Sequence, residues 1–222
     1  YFKWSKKLTG CLILTAGLSN TSFVGFPIIE ALYGAEGLKT AIIVDQPGSF
    51  VVVTTLGILV AASFSRGNLS TSEILMKIVK FPPFIAFIIA LLFTIFSLEF
   101  PNALQNAFLR IGNTVTPVAL VAVGLQLKID TKSKHWSFLG LGLFFKLLIM
   151  PAFFYLLYKI ILGGNGLEIN VSILESAMAP MITGTILAAN YGLKPKLSSM
   201  MVGVGIPLSL VTVAFWYWVL SL

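Results

Sequence analysis

Seven stretches of this chain run for about twenty residues each with almost no charge: roughly 8–33, 38–63, 79–98, 104–127, 136–161, 167–191 and 197–221. A helix of that length and apolarity matches the hydrocarbon thickness of a bilayer, so the pattern predicts an all-α polytopic membrane protein with seven helices. The whole chain is 57% hydrophobic and 10% charged, with a mean hydropathy of +0.96; soluble domains carry about 25% charged residues. The net charge of +7 would suggest nucleic acid in a soluble protein. Here the basic residues are scattered between apolar runs and form no stripe or patch for phosphates, so no nucleic-acid partner is expected and the partner is the lipid bilayer. Cys11 is the single cysteine and His135 the single histidine. No disulfide within the chain and no zinc set follow from that arithmetic, and no cofactor or metal is expected. His135, beside Trp136 in a basic loop, reads as an interfacial anchor.

Lysine and arginine orient the spans. One set of alternating loops holds Lys3, Lys6, Lys7, Arg66, Lys77, Lys80, Lys128, Lys132, Lys134, Lys194 and Lys196, and the other only Lys39, Arg110 and Lys159. This places the N-terminus in the cytoplasm and the C-terminus outside. Rhodopsin-like receptors run the opposite way, and a retinal protein would need a lysine in the last helix, where residues 197–221 have none.

Segments one and six end alike. Residues 31–44 read ALYGAEGLKTAIIV and residues 189–202 read ANYGLKPKLSSMMV, so that at an offset of 158 Ala31, Tyr33, Gly34 and Val44 match Ala189, Tyr191, Gly192 and Val202. The two segments cross the membrane in opposite directions, which is the pattern of an inverted repeat in secondary transporters. The unit is then five helices: residues 64–222 hold one complete unit, and residues 1–63 the last two helices of the preceding one. By this arithmetic three further helices are expected before Tyr1, for ten in a 5+5 arrangement.

Both related segments are interrupted. The first has the small polar stretch 17–22 (GLSNTS), then Gly25 and Pro27; the sixth has Pro180, Thr183, Gly184 and Thr185. Pro27 and Pro180 lack an N–H and are expected to break helical bonding near the midplane, where freed backbone groups must be buried in protein or line a wet cavity. Paired half-helix N-termini favour an anion. A carboxylate is expected to bond their N–H groups together with the Asn20 amide and the hydroxyls of Thr21 or Thr183, with Met181 beside the second break. Ionisable groups inside a span are costly and mark function by default. Asp45, Lys146 and Glu175 qualify: Asp45 or Glu175 as proton carrier, Lys146 as the alternate counter-ion, with a static ion pair as the competing reading. Arg110, with Asn106 and Asn113, is assigned to the outer interface, and the phenylalanines and Trp216-Tyr217-Trp218 to lipid-facing bulk and the interfacial belt.

The motif SNTSFVGFPIIEALYG resembles the fourth helix of the auxin efflux carrier family, the plant PIN-type carriers and their bacterial relatives, through Asn20-Thr21, Gly25, Pro27 and Tyr33-Gly34. Gln46 stands where the family commonly has glutamine in its fifth helix. Thr116-Pro117 with Val123-Gly124-Leu125 is similar to its seventh helix, and ESAMAPMITGTILAANYG to its broken ninth. The resemblance covers residues 8–221. It implies ten helices in two inverted halves, the fourth and ninth crossing at their breaks, a dimeric scaffold and an elevator motion. It also implies small organic anions as substrates: auxin in plants, malonate-like or other carboxylates in bacteria. By position, Asn20 and Pro27 belong to one side of the site and Glu175 and Pro180 to the other. Where the plant pattern has glutamine, this chain has Glu175.

The expected function is therefore a secondary carrier of a small carboxylate in a bacterial cytoplasmic membrane, homodimeric and coupled to protons or sodium. The competing reading is a membrane sensor or receptor that keeps the anion-binding crossover without transport. An intramembrane enzyme would need paired aspartates, a Ser-His pair or a metal set at one depth, and Asp45 is the only aspartate within a span.

Overall fold

The computed structural model describes residues 4–65, 72, 76, 79–80, 82–126 and 135–222. Lys3, Arg66, Lys77, Lys128, Lys132 and Lys134, used above to orient the spans, lie outside the described residues, as do the side chains of Asn113, Thr116 and residues 123–125. The elements described in chain order are α1 (Lys6–Ala16), α2 (Phe26–Val44), α3 (Ile58–Phe64), α4 (Pro82–Ile95), α5 (Asn102–Gln126), α6 (Trp136–Phe144), α7 (Met150–Tyr155), α8 (Leu167–Ser176), α9 (Ile182–Asn190) and α10 (Pro195–Ser221). Wider π-helical turns connect several of them, at Thr21–Gly25, Asp45–Phe50, Val53–Gly57, Phe145–Ile149 and Leu156–Ile161.

Among the described residues three helical runs are long and apolar enough to cross a membrane: Thr21–Phe64, Trp136–Ile161 and Pro195–Ser221. The first, at 44 residues, is about twice what one crossing needs. It bends at Gly34, whose backbone (φ 65°, ψ −160°) is not helical. The corresponding Tyr-Gly pair at the end of α9 turns the same way, with Gly192 at φ 67°. Both glycines have positive φ, a region that glycine adopts without a Cβ penalty. Outward faces carry Ile43, Leu56, Phe144, Phe153, Ile161 and Val211, all exposed. Apolar surface so distributed is the belt expected where the solvent is lipid.

Two apolar clusters form the interior. One joins Leu8, Leu12 and Leu14 of α1 to Leu139 and Leu143 of α6, Leu147, Ala188 of α9 and Met201 of α10. The other joins Val24, Ile29 and Ala41 to Val171 and Leu174 of α8, Met178, Val213 and Trp216. The chain from α1 to α2 and the chain from α8 to α9 each pass from one cluster to the other, in opposite directions. Thus α1 packs on α9 while α2 packs on α8, and the two passages cross between them.

Candidate functional site

At the crossing both chains leave helical geometry. Helix α1 ends at Ala16 and helical turns resume at Thr21; α8 ends at Ser176 and α9 starts at Ile182. In the gap, Asn20 N donates to the Ala179 carbonyl (2.8 Å) and Met181 N donates to the Leu18 carbonyl (3.1 Å), forming an isolated antiparallel bridge between Ser19 and Pro180. Helix ends buried inside a protein leave orphan N–H and C=O groups; here each interrupted chain supplies partners for the other. Pro180 sits at the centre of the bridge, where its missing N–H leaves no ladder bond unmade. Pro27 does not interrupt a helix, contrary to the expectation above. It stands at the start of α2 directly after the π turn Thr21–Gly25, inside one continuous helical run, so the helical bond that its missing N–H cannot make falls at the junction of the wider turn and α2. The first gap instead falls at Gly17–Asn20, in the small polar stretch.

Asn20 is buried, 1% exposed. Its Oδ1 accepts from Phe23 N (3.2 Å) and so caps the turn Thr21–Gly25. That bond fixes the amide orientation, and Nδ2 is left buried with no partner. Thr21 Oγ1 donates to Asp45 Oδ1 at 2.5 Å, and Gln46 Nε2 donates to Asp45 Oδ2 at 2.9 Å. Asp45 is 2% exposed, with both oxygens engaged.

Glu175 is fully buried, and neither carboxylate oxygen has a hydrogen-bond partner. The group is packed on Gly25: a Cβ there would lie 2.8 Å from Glu175 Oε1 and closer still to Oε2. Lys146, also fully buried, rises from the π turn Phe145–Ile149 and donates to Ser19 Oγ and to the Ser176 carbonyl, both at 2.6 Å. Glu175 is within electrostatic reach of Lys146 and of Asp45. Among the described residues the one ion pair within 4 Å is the exposed Lys39–Glu36, so Lys146 bridges neither carboxylate directly. A cavity of ≈ 300 Å³ adjoins these groups, lined among others by Ser19, Thr21, Ser49, Tyr158, Glu175 and Ser176.

The crossing therefore assembles Asn20, Thr21, Gly25, Asp45, Lys146, Glu175, Pro180 and the backbone N–H of Met181. Gln46 is present as a partner of Asp45. Thr183 stands apart, lining a second cavity of ≈ 370 Å³ with Thr54 and Asn190. Arg110 and Asn106 are exposed on α5. Sequence reasoning did not single out Ser176, whose carbonyl holds Lys146; its adjacency to Glu175 was the available signal.

A helical chain with apolar outer faces and a buried polar crossing has the form of a membrane transport protein. Residues 1–217 match the family described as membrane transport protein, and the chain belongs to this family, that of the auxin efflux carriers. It is 30% identical over 223 residues to an uncharacterized transporter of Methanocaldococcus jannaschii, covering 99% of this chain and 71% of that protein. An uncharacterized transporter of Escherichia coli K12, YfdV, is 24% identical over 223 residues (99% of this chain, 70% of that one). Auxin efflux carrier component 5 of Arabidopsis thaliana is 24% identical over 258 residues (97% and 72%). The chain is an integral membrane protein of a transport family, not of an enzyme family.

Proposed function

We propose that this chain is the body of an elevator-type secondary carrier that moves a small organic anion, a carboxylate, across a bacterial cytoplasmic membrane. The single observation that carries this reading is the Asn20 amide: a buried donor with no partner, held at the crossing of two interrupted chains next to Ser19, which accepts from Lys146 Nζ. A buried, unmet donor costs about 1–3 kcal/mol, and an anion that accepts from it removes that cost. The start of α9 supports the same ligand, because its first N–H groups lack a side-chain cap and point the positive end of the helix dipole at the crossing. Thr21, Gly25, Pro27, Gln46, Glu175, Pro180 and Met181 complete the proposed substrate side; Thr183, expected there from sequence, lines the second cavity instead. Asp45, Glu175 and Lys146 form the proposed coupling set, for a proton or sodium ion.

The carrier reading includes an inverted repeat, with residues 1–63 as the last two helices of the first half and 64–222 as the complete second half, a cytoplasmic N-terminus, an outside C-terminus and a homodimeric scaffold. The equivalent turns at Gly34 and Gly192 support the repeat. The registers differ along its length: the helices stop at Ala16 and Ser176, an offset of 160, while the glycines are 158 apart. The π turn Thr21–Gly25 takes up part of this two-residue drift, since a π-helical turn holds one residue more than an α-helical one.

The test is thermal stabilisation of the purified protein across mono- and dicarboxylates, including indole acetate and malonate. A ligand at about 100 times its dissociation constant adds about 2.7 kcal/mol to the folded state. Stabilisation by a carboxylate that disappears in Asn20→Ala, in a variant that still folds, is the expected result. Stabilisation that survives Asn20→Ala would remove the anion from the crossing.

A further inference from the structure

The helical run Trp136–Ile161 is irregular at its middle. Pro151 has no N–H, so the carbonyl four residues before it, that of Leu147, loses its α-helical donor. Next to this defect the chain winds as the π turn Phe145–Ile149, closed by a bond from Met150 N to the Phe145 carbonyl. Leu147 is buried, and a carbonyl at this depth must be served by protein. Its donor comes from another helix: Trp216 Nε1 of α10 donates to it at 3.0 Å. Trp216, assigned above with Tyr217 and Trp218 to the interfacial belt, is 7% exposed, whereas Trp218 is 57% exposed. The indole lies against Tyr155 of α7, with 6.2 Å between ring centroids. Leu147, Pro151 and Tyr155 recur at intervals of four on one face of the run, and Trp216 spans that face across the proline.

Lys146 is the residue before Leu147, and its ammonium donates to Ser19 Oγ and to the Ser176 carbonyl, one from each crossing chain. Where it points depends on how the turn beneath it is wound. A π turn holds one residue more than an α turn, and a shift of one residue rotates a helical side chain by about 100°. We infer that Trp216 is a positioning residue for Lys146: its indole N–H takes the place of the helical bond that Pro151 withholds, and so fixes the register that aims the ammonium at the crossing. On the carrier reading, on which this clause alone rests, α10 thereby sets where the cation of the site stands.

The test is thermal unfolding of the detergent-purified chain. Trp216→Phe keeps a ring against Tyr155 and leaves the Leu147 carbonyl unmet, and is expected to melt lower by about 3 °C or more. Pro151→Ala supplies an N–H four residues after Leu147; in that background the loss on Trp216→Phe is expected to fall to half or less. A second comparison reads the link to the lysine. Ser19→Ala removes one acceptor of Lys146, and no hydrogen bond joins Ser19 to Trp216, so independent roles would add. Ser19→Ala is expected to cost less in Trp216→Phe than in the wild type, and to add fully to Val213→Ala, another buried position of α10. Where Trp216→Phe folds only together with Pro151→Ala, that rescue supports the proposal, and Trp216→Tyr takes its part in the second comparison. A loss on Trp216→Phe that is equal with and without Pro151→Ala, or failure to fold in both, overturns the proposal. So do additive losses with Ser19→Ala, and so does a shortfall that Val213→Ala shows equally. No substrate enters the measurement, so failure of the carrier reading and failure of this proposal are read separately.

Discussion

Two carboxylates lie buried at the same crossing and are treated in opposite ways by the fold. Asp45, in the π turn Asp45–Phe50, receives a threonine hydroxyl on one oxygen and a glutamine amide on the other. Glu175, in the last turn of α8, receives no hydrogen bond on either oxygen and is fitted against the bare backbone of Gly25. Residue type and depth in the span would assign both to the same role. Their partners separate them: a carboxylate with both oxygens engaged is part of the framework, because every change at it breaks an existing bond. An unpartnered one is free to exchange a proton, an ion or a ligand group. On this comparison Asp45 fixes the turn Thr21–Gly25 to the next span, and Glu175 is the group held in reserve for the cycle.

The largest effect that would break the contrast is at Asp45. Asp45→Ala strands the Thr21 hydroxyl in a buried site and frees the half-buried Gln46 amide, and should cost about 3 kcal/mol of stability. Thermal or denaturant unfolding in detergent measures it. A loss below that of any Glu175 substitution would mean that Asp45 is not framework. Next is Gly25→Ala. Its Cβ meets the Glu175 carboxyl, the end of a flexible side chain that must shift toward the adjoining cavity, so overpacking of no more than about 2 kcal/mol is expected. If the clash is with Glu175, the double variant Gly25→Ala/Glu175→Ala recovers most of that loss, a non-additivity that contacting residues show. Additive losses would place the strain elsewhere. Thr21→Val, which removes one donor from Asp45 and keeps the shape, should cost about 1.5 kcal/mol, less than Asp45→Ala in the same assay.

The contrast was only partly legible in the sequence. Apolar run length and low charge suffice for a helical membrane protein, and SNTSFVGFPIIEALYG suffices for the family, because both signals are local. The likeness of Tyr33-Gly34 and Tyr191-Gly192 was readable for the same reason, and both glycines have positive φ; Lys194, also at positive φ, carried no such signal because it is not a glycine. Pro27 misled, because a proline marks either a break or the first turn after one, and only the position of the preceding helix end tells them apart. The partner sets of Asp45 and Glu175 were not readable. Thr21 is 24 positions from Asp45, and Lys146 is 127 positions from Ser19, so those bonds exist only once the chains have crossed. The π turns that carry Asp45 and Lys146 left no trace in hydrophobic periodicity, since a uniformly apolar span has no polar face whose drift would reveal a wider helix.

The smallest expected stability effect is the sharpest test of the comparison. Glu175→Gln keeps the volume of the side chain and removes its ability to exchange a proton, and no hydrogen bond to a carboxyl oxygen is there to be lost. Removing a buried carboxyl that would cost desolvation on ionising is neutral or favourable, while the added amide donor is a new group to be satisfied. The two terms oppose each other, and the net change in unfolding free energy should stay within about 1 kcal/mol. Transport should respond differently. In proteoliposomes, uptake of a carboxylate identified by the stabilisation assay should lose its dependence on an imposed pH gradient in Glu175→Gln, while Thr21→Val, weaker as a folded protein, should retain that dependence. A Glu175→Gln protein that unfolds more readily than Asp45→Ala would make Glu175 framework as well. One that is stable and still responds to the gradient would return the coupling role to Asp45, despite its two hydrogen bonds.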